Sequence, residues 1–309
     1  MRFFSVRDTI FLIEVIGLEK CVSCPRRCGV DRRVNKGFCG VGDEIIVSRA
    51  APHYWEEPSI SGEKGSGAIF FSGCNLKCVF CQNSAISTGK LGKVVTVSQL
   101  ADLMLKLQSD GVHNINLVTP SHYTSRISIA IYTARERGLT VPIVWNSNAY
   151  EDVSELRRLD GKVDIYLPDF KYKSPVLSAR YSHAADYFER AVDALDEMVL
   201  QRGGAEFEGD LMRRGVIVRH LVLPDCIEDS KSVLSFLHRR YGNAIYISVM
   251  SQYTPVGKNL PDSLGRPLTA AEYDEIKAYA LRIGITQGYF QEGDSVGESF
   301  IPSFDLTGV

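Results

Sequence analysis

Gly73-Cys74-Asn75-Leu76-Lys77-Cys78-Val79-Phe80-Cys81-Gln82-Asn83 places three thiols within eight residues, spaced Cys-x-x-x-Cys-x-x-Cys. Gly73 and Asn75 favour a turning loop over a helix, so three side chains can converge from a wrapped backbone. Three thiolates can hold three irons of a cubane cluster and leave the fourth iron free to bind a substrate or cofactor. Zinc normally takes four ligands, and the bacterial ferredoxin run has its fourth Cys close by, so neither fits this spacing as well. The blandest alternative is three unrelated buried thiols.

A second group stands upstream, in Cys21-Val22-Ser23-Cys24-Pro25-Arg26-Arg27-Cys28-Gly29 and Gly37-Phe38-Cys39-Gly40. Two close pairs flanking a loop are how a small knuckle closes on zinc; four thiolates would equally hold a second iron–sulfur cluster for electron relay. The spacing leaves that choice open. Of eight cysteines only Cys226 lies outside these two groups, which is metal-ligand usage in a reducing compartment rather than a disulfide framework. A lone Cys beside Pro224 and Asp225 reads first as a small buried hydrophobe.

The 309 residues suffice for one large core, and 35 basic against 37 acidic side chains give no bulk charge to draw nucleic acid or an anionic membrane. The opening stretch through Leu18 is broken by Arg7, Asp8 and Glu14, too short for a membrane helix, and shows no cleavage site. A cytoplasmic protein is expected. Residues 43–67 read as loop, punctuated by Pro52, Pro58, Gly62, Gly65 and Gly67; His53, Glu56 and Glu57 are candidates for ligands or acids there, though each taken alone reads first as a satisfied or solvated side chain.

Beyond residue 67 short aliphatic runs alternate with helical stretches, the pattern of βαβ units around a parallel sheet. Strands are expected at 68–71, 114–118, 141–145, 163–167, 215–221 and 244–249. Helices are expected at 98–109 with Ser98 as cap, 125–137, 152–159, 175–200, 229–240 and 269–282. Residues 201–210 read as a polar linker, and no fixed-period repeat stands out. Ligands in such folds gather at the carboxyl ends of strands, where this chain has Thr119 to Tyr123, Asn146-Ser147-Asn148, Asp169-Phe170-Lys171, Arg219-His220 and Ser251-Gln252-Tyr253. Each group alone could be a turn or a cap; together they point to a shared pocket.

The three-Cys spacing with Phe80 just before the last Cys resembles the radical S-adenosylmethionine (SAM) superfamily. The fuller string from Phe70-Phe71-Ser72-Gly73-Cys74 to Cys81-Gln82-Asn83 is similar to its pyruvate formate-lyase activating enzyme-like branch. The resemblance implies an α/β fold, a partial (β/α)6 TIM-like barrel over residues 68–309 behind a cysteine-rich extension over 1–67. It implies a [4Fe–4S] cluster on Cys74, Cys78 and Cys81, whose free iron chelates SAM and whose electron cleaves it to methionine and a 5′-deoxyadenosyl radical. Flavodoxin or ferredoxin would supply that electron.

By the same resemblance Phe80 meets adenine, Asn146, Ser147 and Asn148 lie near SAM, and Asp169 and Lys171 match an Asp-x-Lys after the fourth strand. Related activases bind a monovalent cation at acidic positions beside the SAM carboxylate, of which Asp169 is retained here while Asn146 stands where an Asp is found. Arg219 is the expected partner of the SAM carboxylate or ribose. The activases' Gly-Gly-Glu-Pro is replaced by Val118-Thr119-Pro120-Ser121-His122, where Thr119 and Ser121 offer hydroxyls. His122, Tyr123 and Tyr253 are candidates for the substrate end. The leading outcome implied is an activase that places a glycyl radical on a partner protein; radical modification of a small molecule or peptide is the alternative. A non-catalytic metal-binding module carried by the knuckle is a third expectation, of a different class.

Overall fold

The structure, a computed structural model, describes residues 20–256, 260–291 and 302–309. The opening stretch through Leu18, read above for signal and membrane character, lies outside them. No helix among the described residues is long and apolar enough to cross a membrane.

In chain order the strands are β1 Ile45–His53, β2 Ser66–Phe71, β3 Lys93–Val95, β4 Ile115–Val118, β5 Ile143–Ser147, β6 Ile165–Pro168, β7 Glu206–Glu208, β8 Leu211–Leu221, β9 Tyr246–Met250 and β10 Gly288–Phe290. They form one sheet in the order β10-β9-β8-β6-β5-β4-β2-β1-β3, with β7 paired to β8 off the path. From β2 to β10 along that path every pairing is parallel, and β1 and β3 add an antiparallel edge. The path ends on β3 and β10 without closing, so the expected partial barrel is what forms.

The helices are α1 Pro58–Ser61, α2 Ser84–Ser87, α3 Val97–Ser109, α4 Thr124–Glu136, α5 Val153–Arg157, α6 Pro175–Ser182, α7 Tyr187–Arg202, α8 Ile227–Tyr241 and α9 Ala270–Arg282. Four details depart from the sequence expectation. Residues 45–53 are strand rather than loop, because Ile45-Ile46-Val47 pairs on both sides and outweighs the prolines and glycines around it. The edge of the sheet therefore falls within the stretch assigned to the extension. Thr96, not Ser98, caps α3, because its hydroxyl accepts from the Gln99 amide while Gln99 Oε1 accepts from the Thr96 amide at 2.8 Å. The single helix expected over 175–200 is broken at His183, which sits at φ 56° while Arg26 takes the carbonyls of Ser182 and His183. Of the polar stretch 201–210, Gln201 and Arg202 end α7, and Glu206–Glu208 forms the first strand of the β7–β8 hairpin turned at Gly209.

Strand alternation builds two cores. Ile115, Leu117, Ile143, Trp145, Tyr166, Val218 and Val249 face the helix layer, and the intervening Val144, Ile165, Leu167 and Ile217 face the lumen. The lumen is not left hollow. The chain after β1 turns under it, and Ile60 of α1 packs fully buried against those four side chains, a burial that stabilises by about 2–3 kcal/mol. Asn114 Nδ2 fixes the plug by donating to the Ile60 carbonyl at 2.7 Å. One step further up from Val144 and Ile217 the inward residue becomes polar, Asn146 and Arg219, the latter opposite Ser248 in register, while Asn116 of β4 lies level with Val144.

Candidate active site

The loop after β2 carries the three thiols. Gly73 begins it at φ 90°, where a Cβ would lie 2.9 Å from the Cys39 carbonyl oxygen, so a side chain there is excluded both by conformation and by the backbone behind it. Asn75 Nδ2 donates to the Tyr150 carbonyl at 2.7 Å and Asn75 Oδ1 accepts from Asn148 Nδ2 at 2.8 Å, fastening the loop to the end of β5. Gln82 Nε2 reaches the Gln252 carbonyl at 2.9 Å and ties the far end of the loop to β9.

Cys74, Cys78 and Cys81 line one inner compartment of about 120 Å³, with Thr119, Asn146, Ser147, Asn148, Asp169, Lys171 and Arg219 on its other walls. Cys78, Cys81, Asn146, Asp169, Lys171 and Arg219 also border a larger cavity of about 630 Å³. Burial raises the Cys78 thiol and pushes Cys81 up to about 12, so without a metal these groups are neutral. Donors already point at the sulfurs: Ser182 Oγ lies 2.9 Å from Cys78 Sγ, the Leu76 amide 3.4 Å and Asn148 Nδ2 3.6 Å from Cys74 Sγ. Hydrogen bonds of this kind tune the sulfurs of an iron–sulfur cluster. Among the described residues no three His, Cys, Asp or Glu side chains gather tightly enough for a single metal ion. A cubane asks for something else, each thiol on a separate iron, and the three lining thiols fit it.

The polar layer beneath is an ion network. Arg219 donates from Nε to Asp169 at 2.8 Å, from one terminal nitrogen to Glu56 at 2.9 Å and from the other to Asn146 Oδ1 at 2.6 Å. Lys171 Nζ stands 2.8 Å from Asp169, and Glu56 also accepts from Asn116 at 2.8 Å. Burial alone would raise Asp169, but Arg219 and Lys171 outweigh it and hold the carboxyl below its ordinary value. The guanidinium expected to take a SAM carboxylate is thus engaged on all three sides by the protein. The acid expected to share a monovalent cation already faces two protein cations.

The remaining candidates separate cleanly. Phe80 is buried, lines the large cavity and meets Tyr253 edge-on at 6.0 Å. Thr119 sits at φ 58° with its amide on the Asn146 carbonyl. Ser147 borders the inner compartment, yet its hydroxyl turns to Glu151 at 2.6 Å. Ser121, His122, Tyr123 and Tyr253 border neither space. His122 Nε2 and Tyr123 OH both contact the Ser72 carbonyl, burial pushes His122 down to about 3, and Tyr253 OH donates to Leu264. Ser121 lies buried at the start of the turn into α4. Cys226 is buried away from the cavity, its thiol pushed up to about 11 by burial.

The preface thiols Cys21, Cys24 and Cys39 are buried, and Cys28 accepts from the Phe38 amide at 3.2 Å. What the sequence undervalued is the pair Glu56 and Glu57. Both line the large cavity, as do His53, Trp55 and Ser248. The inward phase of Asn116, Asn146, Arg219 and Ser248 was the available signal that a polar layer needed partners.

A profile described as the radical SAM superfamily matches residues 68–200. An uncharacterized protein of Methanocaldococcus jannaschii is 32% identical over 271 residues, spanning 84% of this chain and 72% of its own length. Among solved structures, methylornithine synthase (PylB) superposes with a TM-score of 0.50 at 15% identity, over 76% of this chain and 63% of that one. Streptococcus suis SuiB bound to its precursor peptide SuiA superposes with a TM-score of 0.50 at 12% identity, over 71% of this chain and 46% of that one. The chain spans about half to two thirds of the length of these solved chains, and the likeness is one of fold.

Proposed function

The chain belongs to the radical SAM superfamily, and from that premise we propose that it takes a hydrogen atom from a substrate admitted to the large cavity. When bound, a [4Fe–4S] cluster with SAM on its open iron supplies a 5′-deoxyadenosyl radical and methionine from one electron. Cys74, Cys78 and Cys81 would hold the cluster, with Asn148, Ser182 and the Leu76 amide setting the sulfurs. The observation that carries the reading is continuity: the wall that holds Cys78 and Cys81 also holds Asn146, Asp169, Lys171 and Arg219, so both spaces share one polar lining.

The residues do three things here. Asp169, Lys171, Arg219 and Glu56 neutralise one another, so the lining is set before any ligand arrives and need not reorganise. Phe70, Phe80, Val118, Leu221 and Met250 supply apolar walls that keep water away from a reactive carbon centre. Thr119 and Asn148, at strand ends, offer polar atoms toward the inner compartment.

On substrate, the Phe70 to Asn83 string favours the activase-like outcome, a glycyl radical placed on a partner protein with flavodoxin or ferredoxin as reductant. The depth of the cavity, reaching down to Glu57, favours modification of a small molecule or peptide. Reduced enzyme and SAM are incubated with a candidate glycyl-radical protein and read by electron paramagnetic resonance. A glycyl doublet supports the activase; deoxyadenosine release without any protein radical counts against it; no deoxyadenosine at all sinks the SAM reading.

A further inference from the structure

Among the described residues, Glu57 is the one carboxyl bordering the cavity that the ion network leaves out. It is more than nine-tenths buried, and its Oε2 has no hydrogen-bond partner. Burial raises the carboxyl's pKa, although the Arg219 guanidinium and the Ser248 side chain nearby work to lower it. Its backbone is pinned as the cap of α1, where its carbonyl accepts from the amides of Ile60 and Ser61 at 2.8 and 3.0 Å. The side chain is therefore held in place above the Ile60 plug, at the level of Arg219 and Ser248. A buried polar atom with nothing to bond costs free energy unless something arrives to bond it.

Charge points the same way. Among the described residues three carboxyl groups border the cavity, Glu56, Glu57 and Asp169, against two fixed cations, Lys171 and Arg219. Those two are already used by Asp169 and Glu56. His53 adds no third cation, because burial and the nearby Arg49 and Arg219 lower its pKa. No ion pair among the described residues reaches Glu57, so no cation is left for its unpartnered oxygen. Trp55, Phe70, Tyr289 and Phe290 line the same cavity, with Tyr289 near enough to Glu57 to feel its charge, and ring faces suit a cation on an apolar body.

We propose that the cavity floor at Glu57 receives a cationic amine of the substrate, an ammonium group on an aliphatic or aromatic body. This rests on the reading of the cavity as the substrate chamber of a SAM-dependent enzyme and names the substrate class for it. Among the described residues a carboxylate or phosphate finds no free cation there, and a neutral hydroxyl brings the Glu57 carboxyl no charge to pair with. SAM carries an ammonium and a sulfonium of its own, so the test separates the two sources.

Full-length, anaerobically reconstituted enzyme is titrated calorimetrically with phenethylamine, with neutral 2-phenylethanol and with anionic 3-phenylpropionate. The amine is expected to bind at least about tenfold more tightly than the alcohol and the acid not to bind, as a charge-assisted hydrogen bond in a buried site predicts. Glu57→Gln is expected to bring the amine to the level of the alcohol. If that variant does not fold, Glu57→Asp, which keeps the charge but withdraws it by one methylene, is expected to weaken the amine more than the alcohol.

Absence of amine binding, equal binding of amine and alcohol, or preference for the acid overturns the proposal. So does a Glu57→Gln enzyme whose loss of affinity is for SAM rather than for the amine. Deoxyadenosine release by the wild type is measured in the same preparation. Its absence fails the SAM reading, whereas release without amine preference fails this inference alone.

Discussion

The two groups of cysteines differ less in number than in what surrounds them. Cys74, Cys78 and Cys81 form a wall of the inner compartment, whereas the preface cysteines border neither space. The preface is instead sewn to itself and to the loop. Cys21 exchanges backbone bonds with Val30 and Gly29, and the Cys39 carbonyl accepts from the Cys74 amide at 3.2 Å. Arg26, its guanidinium 4.1 Å from the centre of the Phe38 ring, donates to the Asn75 carbonyl at 2.8 Å. Position relative to a cavity, not the count of thiols, separates a group placed for chemistry from one placed to brace it.

Removing one thiol from each group is the strongest way to break that contrast. Cys78→Ala is expected to lose all detectable deoxyadenosine release and the iron of the loop cluster. Its melting temperature should match that of wild-type protein stripped of the same cluster, since the variant loses the stabilisation that the bound cluster supplies. Cys24→Ala is expected to lower the melting temperature, with SAM cleavage falling only as far as the folded fraction falls. Iron content, melting and deoxyadenosine release are measured on both. If folded Cys24→Ala protein has no SAM cleavage, the preface takes part in the chemistry and the contrast fails.

The next effect concerns the network between those regions. Arg219, Asp169 and Glu56 have side chains only 14, 21 and 8% exposed, so solvent screens them little. Arg219→Met leaves two buried carboxylates with Lys171 alone, and is expected to cost about 3–5 kcal/mol in denaturant unfolding. Adding Glu56→Gln to Arg219→Met is expected to return part of that loss, because the two side chains share one interaction. The surface pair Arg213 and Glu208, 36 and 73% exposed, serves as the comparison: Arg213→Met is expected to cost no more than about 1 kcal/mol. Equal costs at the two sites would show that burial does not govern the network.

What was readable in the sequence follows the same division. Spacing along the chain is local, so Cys74, Cys78 and Cys81 could be read directly, as could strands where aliphatic runs are short and bounded. Asn146, Asp169 and Arg219 were readable as strand-end groups, but not as partners of one another. Partnership depends on strand order and inward phase, and Arg219 reaches Glu56 across 163 residues of chain. Glu56 and Glu57 looked like solvated acids because nothing nearby shows that α1 folds beneath the barrel. With His122 and Tyr253 the difference runs the other way. Their residue types suit a substrate pocket, yet their backbone positions turn them into the packing against Ser72 and Leu264.

The smallest expected effect sets Glu57 against Asp169 through pH. Burial raises the Glu57 carboxyl, so the folded state holds a proton that the unfolded state gives up. Its contribution to stability is fully present below the ordinary glutamate value, about 4.3, and is lost as pH rises through the raised folded value. Asp169 does the reverse: its carboxyl is lowered, so its contribution is present above the ordinary aspartate value and is lost as pH falls through the lowered folded one. The charges that act on Glu57 come from Glu56 and Arg219, with the Ser248 side chain and Tyr289 nearby. Glu57→Gln removes one of the two opposing slopes and leaves the other. Wild-type stability is therefore expected to fall relative to Glu57→Gln as pH rises above about 4.3, by no more than about 1.4 kcal/mol per pH unit. The two proteins should converge below that pH. Urea unfolding of both across this range reads the difference, and parallel curves would mean that Glu57 is ionised in the folded protein and already has its cation.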